Sequence, residues 1–456
     1  MAAHSTRTRD YFLHSLHIFG FISLPNFFQN SWTNKLHKLI VRQILFKISL
    51  LVMSLQVACT FIYAIHDIAE FLQRLLESAA IITYVTEAIH ASFRLKELTD
   101  LFALQNRLFT VSDRKIYGEY LRKENLEVNI LIVFIILTNL GLVLETMMPM
   151  SERTLYLMTT IYHKKHPARI LPLHLWTPSF FDISEKVPFI IVYLLEVYAF
   201  AVGMVAIFNV TVLQIFVPTS LVAQYKMFAK FVQKIGMEHR DRLGENIFYT
   251  NVSTGEYMTE TKLLHDWTKN ITMGITGPNI SGERVRRFLE FRAWKKKKYQ
   301  ICYVKQIILR HQELNYVMSK YHQVMHKLSL PSAFPFFTTL ILSFYQLAYL
   351  KHLPWFYCTK VLIEFLFLVG GMFHFTTQSE MLNYCNEIVN RSVYNSQWYN
   401  AGPEVKKNVR LMLQNAQKPK HFRIVDGMIT INYKFMIKLW KAAFSFLNFM
   451  KMNGQL

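Results

Sequence analysis

The chain has 456 residues, 52% of them hydrophobic and only 18% charged, with a mean hydropathy of +0.18. Soluble domains carry about a quarter charged residues, so this composition, gathered into long apolar runs, excludes an ordinary soluble domain and points to a polytopic membrane protein. The formal net charge of +21 would suggest a nucleic-acid partner in a soluble chain, but the basic residues lie mostly between apolar runs, so positive-inside bias is the simpler cause and no nucleic acid is implied.

Cys59, Cys302, Cys358 and Cys385 show neither metal-type spacing nor a disulfide frame. The first residues, MAAHSTRTRDYF, lack the apolar core of a signal peptide, so none is expected. No internal repeat is found.

In chain order, residues 1–38 read as a cytoplasmic N-terminal segment; its Leu16–Phe28 stretch is too short to span. Residues 39–217 hold the first four spans: Leu39–Ile65, Phe71–Phe93, Val128–Met148 and Val187–Val217. The second contains Arg74, Glu77 and Glu87 and should be shielded by neighbouring helices. Arg94–Lys123 reads as helical extension and loop, and Ser151–Lys186 as a loop rich in Pro, His and aromatics. Residues 218–282 read as a cytoplasmic loop, mobile over Gly236–Gly282. From Glu283 the apolar stripe Ile301, Val304, Ile308 and Leu309 predicts a helix running into the membrane. Residues 328–375 hold the fifth and sixth spans, Leu328–Tyr349 and Leu353–Phe375; the fifth admits Pro331 and Pro335. A polar, helix-like segment, 376–427, reads as one cytoplasmic helix and leads to the seventh span, Met428–Met452.

Loops rich in Lys and Arg fall on one side if the N-terminus is cytoplasmic, which leaves the C-terminus outside. The sequons at Asn251, Asn270, Asn279 and Asn390 would then be cytoplasmic and unmodified.

No nucleophile elbow, P-loop or His-Glu-x-x-His motif is present, so no enzyme is expected. His163, His166 and His174 lack a carboxylate or Cys partner at ligand spacing, and neither metal nor cofactor is expected. Glu77, Glu196 and Glu364 lie at a shared depth of roughly 12–15 Å. Intramembrane carboxylates are functional candidates; local pairing, Arg74 with Glu70 or Glu77 and Lys360 with Glu364, explains them equally. The apolar residues around them suit a small apolar ligand, and also suit plain helix packing.

The seventh span is too polar for lipid. Lys434, Lys438 and Lys441 fall along one side of a helix, with Asn432 and Asn448 adding polarity. A charge facing mid-bilayer lipid costs from ~3 to more than ~10 kcal/mol. Snorkelling lysines at an ordinary last helix, or a helix beside an aqueous path, both accommodate this.

Three C-terminal stretches carry a resemblance: SVYNSQWY at Ser392–Tyr399, LMLQNAQKP at Leu411–Pro419 and KAAFSFLNFM at Lys441–Met450. They resemble the Tyr-Asn-x-x-Trp-Tyr, Gln-Lys-Pro and final-helix elements of the insect odorant receptors, with Ala443 and Leu447 departing from a common Ser and Phe. The resemblance implies an all-α, seven-helix, odorant-gated cation channel in the plasma membrane of sensory neurons. It implies four subunits around one pore, in contact with membrane lipids and permeating cations. The lysine-bearing last helix is unlike that of the co-receptor. The chain therefore resembles the odorant-binding subunit, whose partners would be olfactory co-receptor chains in a heterotetramer and a small volatile apolar odorant.

By the same resemblance, residues 283–327 and 376–427 form a subunit anchor that includes Trp398, Tyr399, Gln417 and Pro419. Residues 428–456 form the pore-lining helix, with Ala442, Phe446, Phe449 and Asn453 toward pore and gate. The ligand site would use Phe71, Leu75, Ser78 and Ile82; Thr138, Gly141 and Glu145; Tyr193, Val197 and Phe200; and Tyr357, Val361 and Glu364. A gustatory-receptor-type channel is the alternative, followed by a G-protein-coupled chemoreceptor; the transporter signature of internal repeats is missing.

Overall fold

The computed structural model describes residues 44–146, 152–163, 166, 169, 171–173, 185–259, 282–348, 355–425 and 427–452. Ten α-helices lie among them, with one-turn 3-10 helices at Ala64–His66 and Trp398–Asn400. The ten are α1 (Phe46–Ile62), α2 (Ile68–Phe93), α3 (Leu95–Leu108), α4 (Arg114–Thr146), α5 (Glu152–Thr160), α6 (Lys186–Val232), α7 (Gly282–Ala348), α8 (Trp355–Tyr394), α9 (Pro403–Ala416) and α10 (Tyr433–Met452). Two small antiparallel hairpins complete the set: β1 (Ile247–Thr250) with β2 (Tyr257–Thr259), and β3 (Arg423–Ile424) with β4 (Ile429–Thr430).

Five helices are long and apolar enough to cross a membrane by themselves: α1, α4, α6, α7 and α8. α2 and α10 are long enough, at 26 and 20 residues, but carry the charges already noted. α2 therefore packs against α1, α6 and α7, and α10 against α7 and α8. α6 is the central post, touching α1, α2, α4, α7 and α8. The upper end of the bundle is where α1 passes into α2; the lower end is where α6, α7 and α8 run on past the apolar spans.

Several boundaries move outward from the sequence expectation. α6 does not stop at Val217 but continues through Pro218 to Val232. Pro218 removes one rung of the helix ladder. Burial of Leu221, Val222, Tyr225, Phe228 and Val232 on one face outweighs that loss. The charged stretch after α2 is a separate amphipathic helix, α3, whose Leu98, Leu101, Phe102 and Gln105 are buried at helical spacing. The 236–282 region carries the β1–β2 hairpin; residues 260–281 lie outside the described ones. Residues 376–427 are not one helix. α8 ends at Tyr394, a link with a one-turn 3-10 helix at Trp398–Asn400 leads to α9, and the β3–β4 hairpin leads into α10.

One continuous core fills the lower end, built from α3, the second half of α6, the first half of α7, the end of α8 and α9. Polar ties lock it. The buried Arg310 guanidinium donates to the Leu108 carbonyl at 2.6 Å and to Gln224 Oε1 at 2.8 Å. Along α8, Ser379, Asn383, Asn386 and Asn390 share one face and hold the returning chain. Asn386 donates to the Lys418 carbonyl at 2.6 Å, Asn390 to the Ala416 carbonyl, and Asn383 accepts from Lys420 N. Ser379 Oγ donates to the Ile431 carbonyl and accepts from Phe422 N. A polar stripe on α8 thus satisfies backbone groups at the end of α9 and beside the β3–β4 hairpin that neither element pairs internally.

Candidate ligand cavity and the polar face of the last helix

At the upper end, the carboxylates are held locally. Asp67 caps α2 by accepting from Glu70 N. Arg74 bridges Glu70 at 2.7 Å and Glu77 at 2.6 Å. The Tyr162 hydroxyl donates to Glu70, and Gln56 donates to Glu77. Glu196 is fully buried and accepts from Leu173 N at 2.8 Å. Arg74, Glu70 and Glu77 thus form the paired cluster that their spacing allowed.

The thirteen residues expected around a ligand are spread over α2, α4, α6 and α8 in this same half. Phe71 stacks edge-on with Phe61 of α1. Ser78 is buried against α1, its hydroxyl 2.6 Å from Thr60 Oγ1. Leu75, Ile82 and Val197 are half-buried, and Val361 is buried. Thr138 bonds its own helix at the Phe134 carbonyl, and a Cβ on Gly141 would meet nothing within 4 Å. The Tyr193 hydroxyl joins Thr146 across α6 and α4 at 2.9 Å. Phe200 stacks edge-on with Tyr84, and Glu364 lies within electrostatic reach of the same tyrosine. The side chains of Glu145, Tyr357 and Lys360 lie outside the described ones.

Tyr84 leads to a feature the sequence did not disclose. Below it, between α2, α4, α6, α7 and α8, lies a cavity of about 450 Å³. Aromatic and aliphatic side chains make most of the wall: Ile130, Leu131 and Phe134 of α4, Phe336 and Phe337 of α7, and Phe367 and Phe373 of α8. A few polar groups face in, among them Thr83, Glu87, Gln214 and His374. Glu87 of α2 and Ser332 of α7 both line the cavity, side by side across the two helices. Gly370 and Gly371 keep one side open, because a Cβ on either would meet nothing within 4 Å. Phe134 and Phe367, 6.0 Å apart, bridge α4 and α8 at the outer, exposed side of the bundle. Exposed Ile130, Leu366 and Phe373 carry the wall out to that surface.

None of the thirteen expected residues lines this cavity. It uses the same four helices and meets the expected level on α2, where Ala80 and Thr83 flank Ile82, but sits one to three turns lower on α4, α6 and α8; the ten residues from Phe200 to Val210 amount to roughly 15 Å. The signal available in the sequence was the Gly370-Gly371 pair inside an apolar helix, a mark of close approach or open space.

The last helix has two faces. Met436, Ala443 and Met450 are buried at seven-residue spacing against α7 and α8, flanked by Phe435, Leu439, Trp440 and Leu447. The opposite face presents Lys434, Lys438, Lys441, Ser445 and Asn448, all exposed. Ala442 and Phe449 are exposed beside them, and Phe446 is half-buried on the flank. Asn453 lies outside the described residues. In the anchor, Trp398 is partly buried against the core, whereas Tyr399, Gln417 and Pro419 are exposed on the single chain. Among the described residues no three His, Cys, Asp or Glu side chains gather as a metal site, and the four cysteines are free thiols.

A helical membrane bundle, a long lower extension and a lined cavity define a polytopic membrane protein. A profile of the family described as 7tm odorant receptor matches residues 64–444, and the chain belongs to that family. In fold it is similar to the insect olfactory receptor OR5 from Machilis hrabei, with a TM-score of 0.63 and 12% identity over 97% of each chain. The structure of that receptor in complex with eugenol is similar too, with a TM-score of 0.64 and 11% identity over 98% of each chain. No curated protein matches in sequence.

Proposed function

We propose that this odorant receptor is the odorant-binding subunit of a heteromeric, odorant-gated, non-selective cation channel, and not an enzyme. It acts with olfactory co-receptor subunits, as a heterotetramer, in the plasma membrane of sensory neurons. The observation that carries the reading is the cavity of about 450 Å³ between α2, α4, α6, α7 and α8. Its size and its apolar wall with few polar groups suit a small volatile molecule. OR5 of Machilis hrabei has been solved with eugenol, a ligand of that scale. An odorant burying roughly 200 Å² of apolar surface gains about 5 kcal/mol before the costs of binding. Opening requires that it bind the open state more tightly than the closed one.

The lysine face of α10 supports the heteromeric part. Three lysines turned away from their own subunit are too costly against lipid, so they border water or another chain. Four such faces around one pore would oppose cations, whereas subunits with an uncharged last helix would dilute that field. The topology proposed is a cytoplasmic N-terminus with the anchor inside. Asn390 bonds the Ala416 carbonyl in the folded anchor, and a glycan found on it would overturn this sidedness.

The test is expression with and without a co-receptor, scanned with an odorant panel under whole-cell recording. Odorant-evoked current that needs the co-receptor and survives G-protein blockade is expected. Current abolished by that blockade would make the receptor metabotropic instead.

A further inference from the structure

A second cavity, of about 400 Å³, opens at the lower end between α7 and the segment that follows α9. His322, His326 and Lys327 line it from α7, and Lys420, His421 and Arg423 from the returning chain. No carboxylate is in the lining. The nearest two sit at its edge: Glu97 holds Lys327 at 3.1 Å, and Glu380 lies 3.7 Å from His421.

The basic residues are displayed rigidly. Phe422, between them, is buried, stacks on Phe375 at 5.5 Å and contacts Tyr321 and His322. Its N–H bonds Ser379, and the backbone of Lys420 is held on both sides, by Asn383 and by His322. Burial and repulsion by Lys418 and Arg423 hold the Lys420 ammonium below its ordinary pKa. Glu97 and Glu380 answer Lys327 and His421 at the edge, but basic side chains outnumber carboxylates around the cleft, and a bound anion would relieve the excess.

The level of the cleft identifies the source of the anion. His326 and Lys327 stand immediately before the apolar run that starts at Leu328. Up the same helix face, Leu330 and Phe334 are exposed, Phe334 at 80%. Basic side chains below and bare apolar side chains above are the two halves of a lipid's chemistry. We propose that this cleft binds the phosphate-rich headgroup of a polyphosphorylated lipid, with its acyl chains against Leu330 and Phe334. The site shares the membrane placement of the proposed function but does not depend on the odorant reading.

The test uses the purified full-length chain in neutral detergent, read by the shift of its melting temperature. Dioctanoyl phosphatidylinositol 4,5-bisphosphate should stabilise it saturably, and dioctanoyl phosphatidylcholine should not. Lys420→Gln with Arg423→Gln should weaken the apparent affinity by about tenfold or more. Lys305→Gln, the same kind of charge change on an exposed anchor lysine, should leave it within about twofold. Phe334→Ser should weaken the lipid but not inositol 1,4,5-trisphosphate. The unliganded melting temperatures report folding, and Arg423→Gln alone, at an exposed side chain, supplies a second variant. Equal loss from Lys305→Gln, or equal binding of phosphatidylcholine, overturns the site. Equal potency of the soluble trisphosphate, with Phe334→Ser silent, overturns the lipid as its source.

Discussion

The two halves of α6 contrast the two environments of the molecule within one helix. In the upper half, Val187, Ile190, Ile191 and Leu194 are exposed on the single chain. In the lower half, Val217, Leu221, Tyr225 and Val232 are fully buried. The composition is apolar throughout, so the difference is one of surroundings. Water drives apolar side chains together at the lower end, whereas lipid tails are as apolar as leucine and exert no such drive. The lower end therefore forms one continuous core, and the bundle is left with small separate clusters and room for a cavity. The dense half holds the receptor together, and the loose half can accept a ligand.

A pair of glycines tests this contrast most strongly. Gly236 sits at φ +80°, and a Cβ there would lie 2.1 Å from the Gln397 carbonyl oxygen. Gly236→Ala should cost about 3 kcal/mol or more and lower the melting temperature or abolish expression. Gly370→Ala, with empty space around it, should leave stability unchanged or raise it by up to about 1 kcal/mol. Equal effects from the two would break the contrast.

Arg310→Met should come next. It leaves the Leu108 carbonyl and Gln224 without their buried partner and should cost about 2–4 kcal/mol in a thermal or denaturant melt. A ligand-side test follows. Gly371→Leu fills the cavity and should raise the odorant concentration for half-maximal current about tenfold, with little change in melting temperature. Val197→Trp probes the higher position; if it shifts sensitivity and Gly371→Leu does not, the ligand sits above the cavity.

The smallest effect expected is that of pH. His239 is buried against Tyr303, 4.5 Å between ring centroids, accepts from the Tyr299 hydroxyl and donates to the Lys234 carbonyl. Burial lowers its pKa below the ordinary histidine value. The unfolded chain therefore takes up the proton first, and the stability contribution is complete above about pH 6.5 and lost as pH falls below it. His239→Gln, which keeps a donor and an acceptor, should melt with less dependence on pH between 7.5 and 5.5 than the parent chain.

Hydropathy alone located the strong spans, because twenty apolar residues in a row have one physical outcome in a cell membrane. The pairing of Arg74 with Glu70 and Glu77 was legible too, since three- and four-residue spacings meet on a helix. The C-terminal motifs carried the family. The run of α6 through Pro218 was not legible, because it is decided by what Leu221, Tyr225 and Val232 touch. Ser379, Asn383, Asn386 and Asn390 stand in the polar segment after the sixth span with nothing in their spacing to mark a partner, and only their contacts at 416–431 reveal a set of backbone clamps.

By itself, then, the sequence determined the strongly apolar helices, their membrane character and the odorant receptor family, all of which follow from local pattern, whereas the short helices α3, α5 and α9 were not legible in it as separate helices. Only the tertiary structure decided where the space is. A cavity is the volume that Phe134, Phe336, Phe367 and two glycines from separate helices fail to fill. No periodicity along the chain encodes that, because it arises from how five helices lean on one another. The same holds for α10, whose lysine face was visible as spacing, but whose direction was fixed by Met436, Ala443 and Met450 packing on the opposite side.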